Sequence, residues 1–296
     1  MREYLFKYID PQKNSLEIGP LTDPFLTKPQ FNVYYADIRS TEDIKDYYRH
    51  DMNVDIKKIV PVDYVITGTY KEAIGAMNFN TVFSSHVIEH TTCVIGHLSE
   101  ISEILHEGGR YVMCIPDKRF TFDHFREVTP FRDAYDVYKN GEKMLERLGL
   151  DHMMNCHNCN RPIQYIMGNI SFESIALDTE KTLSAINGYE NFKKEIGYHF
   201  WVFTYKSFLS FIRDSLRFNL LPFEVEMAKS PELLRVGANE LHVVLKKNSK
   251  LLTDRNKQLS EIRKINKWIE NTNHNFKIKT VIKTFAWMLK KGIGKL

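Results

Sequence analysis

Residues 13–26 read KNSLEIGPLTDPFL, an apolar strand that turns into a loop and leads toward a helix. The turn falls at Gly19, directly after the predicted strand Ser15–Ile18. A dinucleotide-binding turn needs several glycines, so that backbone amides can approach a pyrophosphate. Here Pro20 has no N–H, and Leu21 places a side chain where the next glycine would stand. The stretch therefore predicts an α/β fold whose first turn receives a small ligand without phosphate groups.

The rest of the chain continues the alternation of short apolar runs and helix-length polar segments. The clearest helix covers residues 97–105, where apolar side chains recur at helical spacing, and Gly108 and Gly109 are predicted to end it. The further predicted strands are residues 33–36, 62–66, 81–85, 110–115, 223–227 and 240–245. We therefore predict a Rossmann-like sheet, mostly parallel and closed by a C-terminal antiparallel hairpin.

Four segments divide the predicted chain. Residues 1–130 form a cofactor-binding core, and residues 201–247 complete its sheet, with Thr204 capping a helix. Residues 131–200 lack a strand pattern and are interpreted as a helical insertion that binds the acceptor. Residues 248–296 form a basic, helical tail.

Composition and charge restrict the possible functions. The 296 residues are 43% hydrophobic, which is enough to bury a substantial core. No uncharged apolar run approaches the roughly 18 to 20 residues that cross a bilayer, and four cysteines are too few for a disulfide scaffold. We therefore expect a cytoplasmic protein with reduced thiols and no signal peptide.

Charge is distributed unevenly along the chain. The last 51 residues carry 14 lysines and arginines against three acidic residues, whereas the first 245 carry 27 against 34. The mildly acidic body gives no indication of a nucleic-acid groove. From Phe276 onward the apolar residues fall on one helical face and lysines on the other. This tail is predicted either to contact the inner membrane or a glycan-assembly partner, or to pack on the body.

A second acidic residue supports a nucleoside ligand. Asp37 ends the second predicted strand, 18 residues after Gly19, where a carboxylate can accept hydrogen bonds from both ribose hydroxyls. S-adenosylmethionine has no phosphate and carries a sulfonium and an ammonium group, so a turn with one glycine and acidic neighbours favours it. The alternative is that Asp37 only caps a turn or helix.

Several stretches share the pattern of one family: LEIGPL (16–21), Asp37, FSSHVIEH (83–90), LSEISEILHEGGRYVMCIPDKR (98–119) and, more loosely, HFWVFTYKSFLSFI (199–212). Together they resemble the class I S-adenosylmethionine-dependent methyltransferases, and more narrowly the branch associated with bacterial surface-polysaccharide biosynthesis. The resemblance covers residues 13–130 well and departs from the family at Leu21, where a second glycine is more common. It implies that the cofactor is bound by Glu17, Gly19, Pro20, Asp37, Ser84, Ser85 and His86.

Residues 116–126, PDKRFTFDHFR, are the densest polar segment in the chain. Aromatic rings that stack on sugar faces, beside arginine and aspartate, suit a carbohydrate or a phosphorylated acceptor. The alternative is a solvated loop with a capping aspartate. The predicted acceptor-binding residues are Asp117, Arg119, Phe122, Arg126 and Trp201. The candidate general bases are His124 and Asp123, which rank first, and His90 and His199.

Two histidine-containing motifs raise the question of a metal. Residues 86–90, HVIEH, match the H-x-x-E-H pattern of a zinc hydrolase, which requires a helix. A strand is predicted directly before them, so we assign no metal there. Cys156 and Cys159 have the spacing of half a zinc site. They are interpreted as reduced thiols, with a structural zinc completed by His152 and His199 as the alternative.

The sequence therefore predicts an O-methyltransferase acting on a sugar, a sugar phosphate or a related capsule or O-antigen precursor. Oxygen is favoured over nitrogen only by the family resemblance. A non-catalytic relative that acts as an assembly partner is the second hypothesis, because Pro20 and Leu21 depart from the usual cofactor loop. A zinc hydrolase is the third.

Overall fold

A seven-stranded sheet forms the centre of the protein. The computed structural model describes residues 2–141, 143–156, 164–165, 197–231 and 238–271. The strands are β1 (Ser15–Ile18), β2 (Val33–Asp37), β3 (Tyr64–Val65), β4 (Phe79–Ser85), β5 (Leu105–Pro116), β6 (Phe223–Lys229) and β7 (Glu240–Lys247). All seven predicted strands are present.

The sheet has the order β3-β2-β1-β4-β5-β7-β6. The first five strands are parallel, and β7 runs antiparallel to both of its neighbours. The predicted Rossmann-like fold with a C-terminal antiparallel hairpin is therefore confirmed. The chain order reverses between β1 and β4. Open α/β sheets bind their ligands at such a point, beyond the carboxyl ends of the strands.

Seven α-helices are described: α1 (Thr41–Tyr47), α2 (Tyr70–Ile74), α3 (Val94–Ile104), α4 (Phe131–Asn140), α5 (Lys143–Asn155), α6 (Tyr205–Arg217) and α7 (Arg255–Asn271). Helix α6 begins at the predicted cap, because the Thr204 hydroxyl accepts a hydrogen bond from the Ser207 amide. Helices α4 and α5 lie within the predicted helical insertion. Most of that insertion and the amphipathic stretch from Phe276 lie outside the described residues.

The end of α3 differs from the prediction. The helix ends at Ile104, and β5 begins at Leu105, so Gly108 and Gly109 lie inside a strand. A Cβ on Gly109 would lie 3.3 Å from the carbonyl oxygen of Asn80, and the β4–β5 register shifts nearby. Gly109 therefore allows a close approach of the strands at an irregularity in the ladder, and Gly108 supplies a positive φ of 77° beside it, so the pair does not end the helix.

Successive side chains of the strands pack on opposite faces of the sheet. On one face Leu16, Val82 and Met113 pack in a cluster with residues of α3 and α6. On the other face Phe83 and Val112 pack with Leu5 and Leu26, from the N-terminal 3-10 helix Glu3–Tyr8 and the loop after β1. Both faces are thus covered, as a parallel sheet requires. No helix in the described ranges is long and apolar enough to span a bilayer.

Candidate active site

A cavity of about 440 Å³ opens at the carboxyl ends of β1, β2 and β4, where the strand order reverses. Its volume lies in the range of small-molecule sites. The cavity is lined by Ile18, Gly19, Leu21, Asp37, Ile38, Arg39, Ile44, Tyr47, Tyr48, Tyr70, Ser85, His86, Val87, His90, Thr91 and Gly197. Four of the predicted cofactor-binding residues and one predicted base are among them.

The turn after β1 has the backbone that the sequence predicts. Gly19 has φ +66°, and a Cβ there would lie 3.2 Å from a methyl group of Val87. Its amide donates to the carbonyl of Ala36, so it remains part of the sheet. Leu21 also adopts a positive φ of 46°, which is uncommon for a residue with a Cβ. Pro20, between them, is buried and does not line the cavity.

Glu17 supports the loop and does not line the cavity. Its carboxylate accepts hydrogen bonds from the amides of Phe25 and Leu26, at 2.8 and 2.7 Å. Burial raises the pKa of Glu17 to about 7, although these two hydrogen bonds act in the opposite direction. Glu17 can therefore affect cofactor binding only indirectly, by holding the loop after β1 in its conformation.

Asp37 lies at the cavity wall, where a ribose-binding carboxylate is predicted. One oxygen accepts a hydrogen bond from the amide of Arg39 at 3.1 Å. Burial raises the pKa of Asp37, and hydrogen bonds from the amides of Arg39 and Ile38 partly oppose the shift. The carboxylate can accept further hydrogen bonds from a ligand in the cavity.

The segment after β4 divides between the cavity and the core. Ser85 and His86 line the cavity, whereas the Ser84 hydroxyl is buried at 2.8 Å from the hydroxyl of Tyr111. His86 has a left-handed φ of 55°, and only Ile88–His90 forms a turn of 3-10 helix. The continuous helix that an H-x-x-E-H hydrolase motif requires is therefore not formed.

Two histidines of this region have opposite pKa shifts. Burial alone would lower the pKa of His86, but a hydrogen bond with Glu240 and the charges of Glu240 and Glu89 raise it. Burial lowers the pKa of His90, whose Nδ1 lies 3.0 Å from the carbonyl oxygen of Tyr198. Relative to an ordinary histidine, the protonated form is thus favoured for His86 and the neutral form for His90.

The remaining predicted bases lie beside the cavity or apart from it. His199 is buried against His90, and its Nδ1 lies 2.6 Å from an oxygen of Asp123. Burial alone would raise the pKa of Asp123, but His199 and Arg126 lower it. His124 instead places its Nδ1 2.9 Å from the Arg119 carbonyl oxygen. The structure brings three of the four candidates together and leaves His124 elsewhere.

The predicted acceptor-binding residues do not line this cavity, and their polar groups are engaged within the protein. Asp117 binds the guanidinium of Arg119 and the amide that begins α6. Arg126 is 1% exposed and binds Asp123 and Asp151. Trp201 is held in the interior, where its indole donates to the Thr91 carbonyl, and the half-buried ring of Phe122 packs on His199.

A second cavity, of about 860 Å³, adjoins the first at His86. The N-terminal 3-10 helix and the start of β7 contribute most of its lining, which combines charged groups with aromatic rings. These residues are Arg2, Glu3, Tyr4, Phe6, Asp23, Pro24, Phe25, His86, Lys229, Ala238, Asn239, Glu240 and His242. Sequence reasoning missed this cavity, because its two sides are 238 positions apart in the chain and share no motif.

Comparison with known proteins gives structural likeness only. No protein-family model matches the chain. No curated protein matches it. Similar solved structures include a putative S-adenosylmethionine-dependent methyltransferase from Listeria monocytogenes, with 13% identity over 83% of this chain and 97% of that one, and a TM-score of 0.42. A SAM-dependent methyltransferase from Methanosarcina mazei has 14% identity over 84% and 98%, with a TM-score of 0.41.

A third similar structure is the CurJ carbon methyltransferase, with 12% identity over 82% of this chain and a TM-score of 0.38. The chain spans about half the length of that structure, 51%. The narrower resemblance to the polysaccharide-linked branch stays a prediction.

Proposed function

We propose that the protein is an S-adenosylmethionine-dependent methyltransferase. The observation that carries the proposal is the carboxylate of Asp37 at a cavity beside the single-glycine turn, where the strand order reverses. The cavity suits a nucleoside without phosphate, because the turn offers one glycine and no run of free amides. When bound, this cofactor supplies an activated methyl group. Asp37 would hold its ribose, and Gly19, Ser85 and His86 would contact the rest.

The acceptor is proposed to bind in the second cavity. His86 lines both cavities, so an acceptor in the second cavity would lie next to a cofactor in the first and could approach its methyl group. Tyr4, Phe6 and Phe25 contribute aromatic surface to its wall, and Arg2 and Lys229 contribute cationic groups. Rings beside charged groups suit a hydroxyl-rich molecule such as a sugar or sugar phosphate. Methylation of an oxygen on a surface-glycan precursor is the particular reaction that we infer, in line with the family resemblance.

Alignment accounts for most of the proposed catalysis. Holding acceptor oxygen, methyl group and sulfur in line is worth up to roughly 7 to 11 kcal/mol. Proton removal is secondary, and His90, whose pKa is lowered by burial, is the histidine at the cavity wall placed to receive a proton. The earlier candidates Asp123 and His124 lie away from this wall.

Binding calorimetry tests the proposal. S-adenosylmethionine and NADH are titrated separately into the full-length protein. We expect S-adenosylmethionine to bind at micromolar to millimolar concentration and NADH not to bind, because its pyrophosphate would meet Pro20 and Leu21 instead of glycine amides.

One observation favours the non-catalytic alternative. The side chain of Leu21 lines the cavity at the position where a second glycine is common. If S-adenosylmethionine does not bind the wild type but binds Leu21→Gly, the leucine blocks the site, and the assembly-partner hypothesis is preferred. If neither protein binds it, the cofactor assignment is wrong.

A further inference from the structure

Three groups of His, Cys and acidic residues among the described residues bring their ligand atoms within 4.8 Å of one another. They are Glu89, His90 and His199; Cys114, Glu240 and His242; and Asp123, His152 and Cys156. A metal site needs atoms that offer lone pairs and that are not already satisfied by donors. The three groups differ in this respect.

Two of the groups are satisfied by neighbouring cations. The carboxylate of Glu240 accepts two hydrogen bonds from Arg2, at 2.9 and 2.6 Å, and lies within hydrogen-bond distance of His86 and His242. In the other group Asp123 pairs with the guanidinium of Arg126 and with His199, as described above. These carboxylates already have their countercharges, so neither group requires an ion.

Glu89 is different, because its carboxylate is fully buried and has no hydrogen bond from any described residue. Three histidine nitrogens lie near its Oε1: Nδ1 of His86 at 3.6 Å, Nε2 of His90 at 3.9 Å and Nε2 of His199 at 4.0 Å. These separations are too long for hydrogen bonds. Burying an unpaired carboxylate costs several kcal/mol, so this site favours a cation.

The neighbouring hydrogen bonds fix which nitrogen of each histidine faces Glu89. Nδ1 of His90 lies 3.0 Å from a carbonyl oxygen of Tyr198, which can only accept, so Nδ1 carries the hydrogen. Nδ1 of His199 lies 2.6 Å from Asp123 and donates in the same way. With each of these rings carrying its hydrogen on Nδ1, both Nε2 atoms present lone pairs toward the carboxylate of Glu89. Nδ1 of His86, at 3.6 Å, is the third nitrogen that faces it.

We propose that Glu89, His90 and His199 bind a divalent transition-metal ion such as Zn²⁺. Two imidazoles and one carboxylate are a common ligand set for such ions. Asp123 holds His199 as the outer carboxylate of a carboxylate–histidine–metal arrangement, and the Tyr198 carbonyl orients His90. Ligand atoms around zinc stand roughly 3.4 Å apart at bonds of about 2.1 Å. The separations of Glu89 from His90 and His199, 3.9 and 4.0 Å, must therefore shorten by about half an ångström.

This site goes beyond the proposed methyl transfer and does not depend on it. It uses Glu89 and His90 of the H-x-x-E-H motif but takes its second histidine from position 199, more than 100 residues later. Sequence reasoning assigned no metal to these residues, because the motif alone lacked the required helix. His90 also lines the Asp37 cavity, so a bound ion would lie at the wall of that cavity and occupy Nε2 of His90.

Zinc binding to the full-length chain tests the proposal. The wild type is stripped with chelator and titrated with ZnCl₂ by competition calorimetry, beside Glu89→Gln, His90→Ala and the control His50→Ala. His50 is an exposed histidine far from any predicted ligand set. We expect Glu89→Gln and His90→Ala to lose about 100-fold or more in zinc affinity, and His50→Ala to keep it. Equal zinc affinity in all four proteins would overturn the site.

A second variant separates this site from the cysteine pair. Cys156→Ser combined with Cys159→Ser removes the thiols and leaves Glu89 and both histidines. We expect this double variant to bind zinc as tightly as the wild type does. If the double variant loses zinc binding while Glu89→Gln keeps it, the proposal is rejected.

A measurement without substitution covers the case in which a variant misfolds. Zinc is expected to raise the melting temperature of the wild type, and chelator to reverse the rise. An unchanged melting temperature at millimolar zinc counts against the site. His90 is partly exposed, so its alanine variant is the substitution expected to disturb folding least.

Discussion

Two polar segments leave the same edge of the sheet, residues 85–91 after β4 and residues 117–126 after β5, and they contain the same kinds of residue. In the segment after β5 the buried charges are paired, as Asp117 with Arg119 and Asp123 with Arg126. In the segment after β4 the buried Glu89 lacks a hydrogen bond from the described residues, and His86 and His90 line a cavity.

The difference shows that a dense run of charged and aromatic residues is not by itself a binding site. Charges that satisfy one another hold the fold together, whereas a buried group without a partner retains the capacity to bind something else. Sequence composition ranks the segment after β5 first. The pairing seen in the structure favours the segment after β4.

The largest effect is expected from the buried ion pair. Arg126→Met should lower the free energy of unfolding by about 3–5 kcal/mol, because it leaves Asp123 buried without its guanidinium partner. Glu89→Gln, measured in chelator, should not lower it, since Glu89 has no hydrogen-bond partner to lose. Urea denaturation followed by circular dichroism measures both. A large loss of stability in Glu89→Gln, or no loss in Arg126→Met, would contradict the proposed difference between the two segments.

The second effect is a pH dependence of stability that arises from Glu17, which holds the loop after β1. Its pKa in the folded protein, about 7, lies above the ordinary value of 4.5, so folding favours the protonated form. The resulting stability is present below about pH 4.5 and is lost as pH rises through 7. The stability of the wild type relative to Glu17→Gln should therefore fall by about 2 to 3 kcal/mol between pH 5 and pH 8. A difference independent of pH would show that Glu17 titrates normally.

The third effect tests the cofactor cavity. Asp37→Ala should weaken S-adenosylmethionine binding by about 1–3 kcal/mol, because hydrogen bonds from the ribose hydroxyls to a carboxylate are lost. Calorimetry compares it with Asp46→Ala, which removes an exposed carboxylate of α1. Unchanged affinity in Asp37→Ala would place the ribose elsewhere.

The smallest effect is expected at His124. Its ring stacks on Tyr165 and its Nδ1 contacts the Arg119 carbonyl, so His124→Ala should cost about 1 kcal/mol of stability and leave S-adenosylmethionine affinity unchanged. Calorimetry and urea denaturation of the same preparation provide both values. A marked loss of S-adenosylmethionine affinity in a variant of normal stability would show that the segment after β5 belongs to the binding site.

Local patterns predicted the fold well, because alternation of apolar runs depends on neighbouring residues. The strand Ser15–Ile18, the turn at Gly19, the cap at Thr204 and the position of Asp37 are all read from short stretches of sequence. The end of α3 was predicted wrongly, because a pair of glycines is compatible both with the end of a helix and with an irregularity in a strand.

The site was predicted less completely, for a physical reason. Whether a charge is available depends on which distant side chain pairs with it, and no spacing rule reports such pairs. The contacts of Asp123 with His199 and of Arg2 with Glu240 cross 76 and 238 positions. The second cavity, built on the latter contact, could not be found from any one motif.

The position of β7 inside the sheet has a consequence during synthesis. This strand lies between β5 and β6, yet it is the last of the seven to be made. Until residue 247 leaves the ribosome, the nascent sheet ends at β5 with a row of unpaired amides and carbonyls, and such an open edge invites pairing with other chains. The long, largely buried β5 is therefore the point at which the growing polypeptide most needs protection by chaperones.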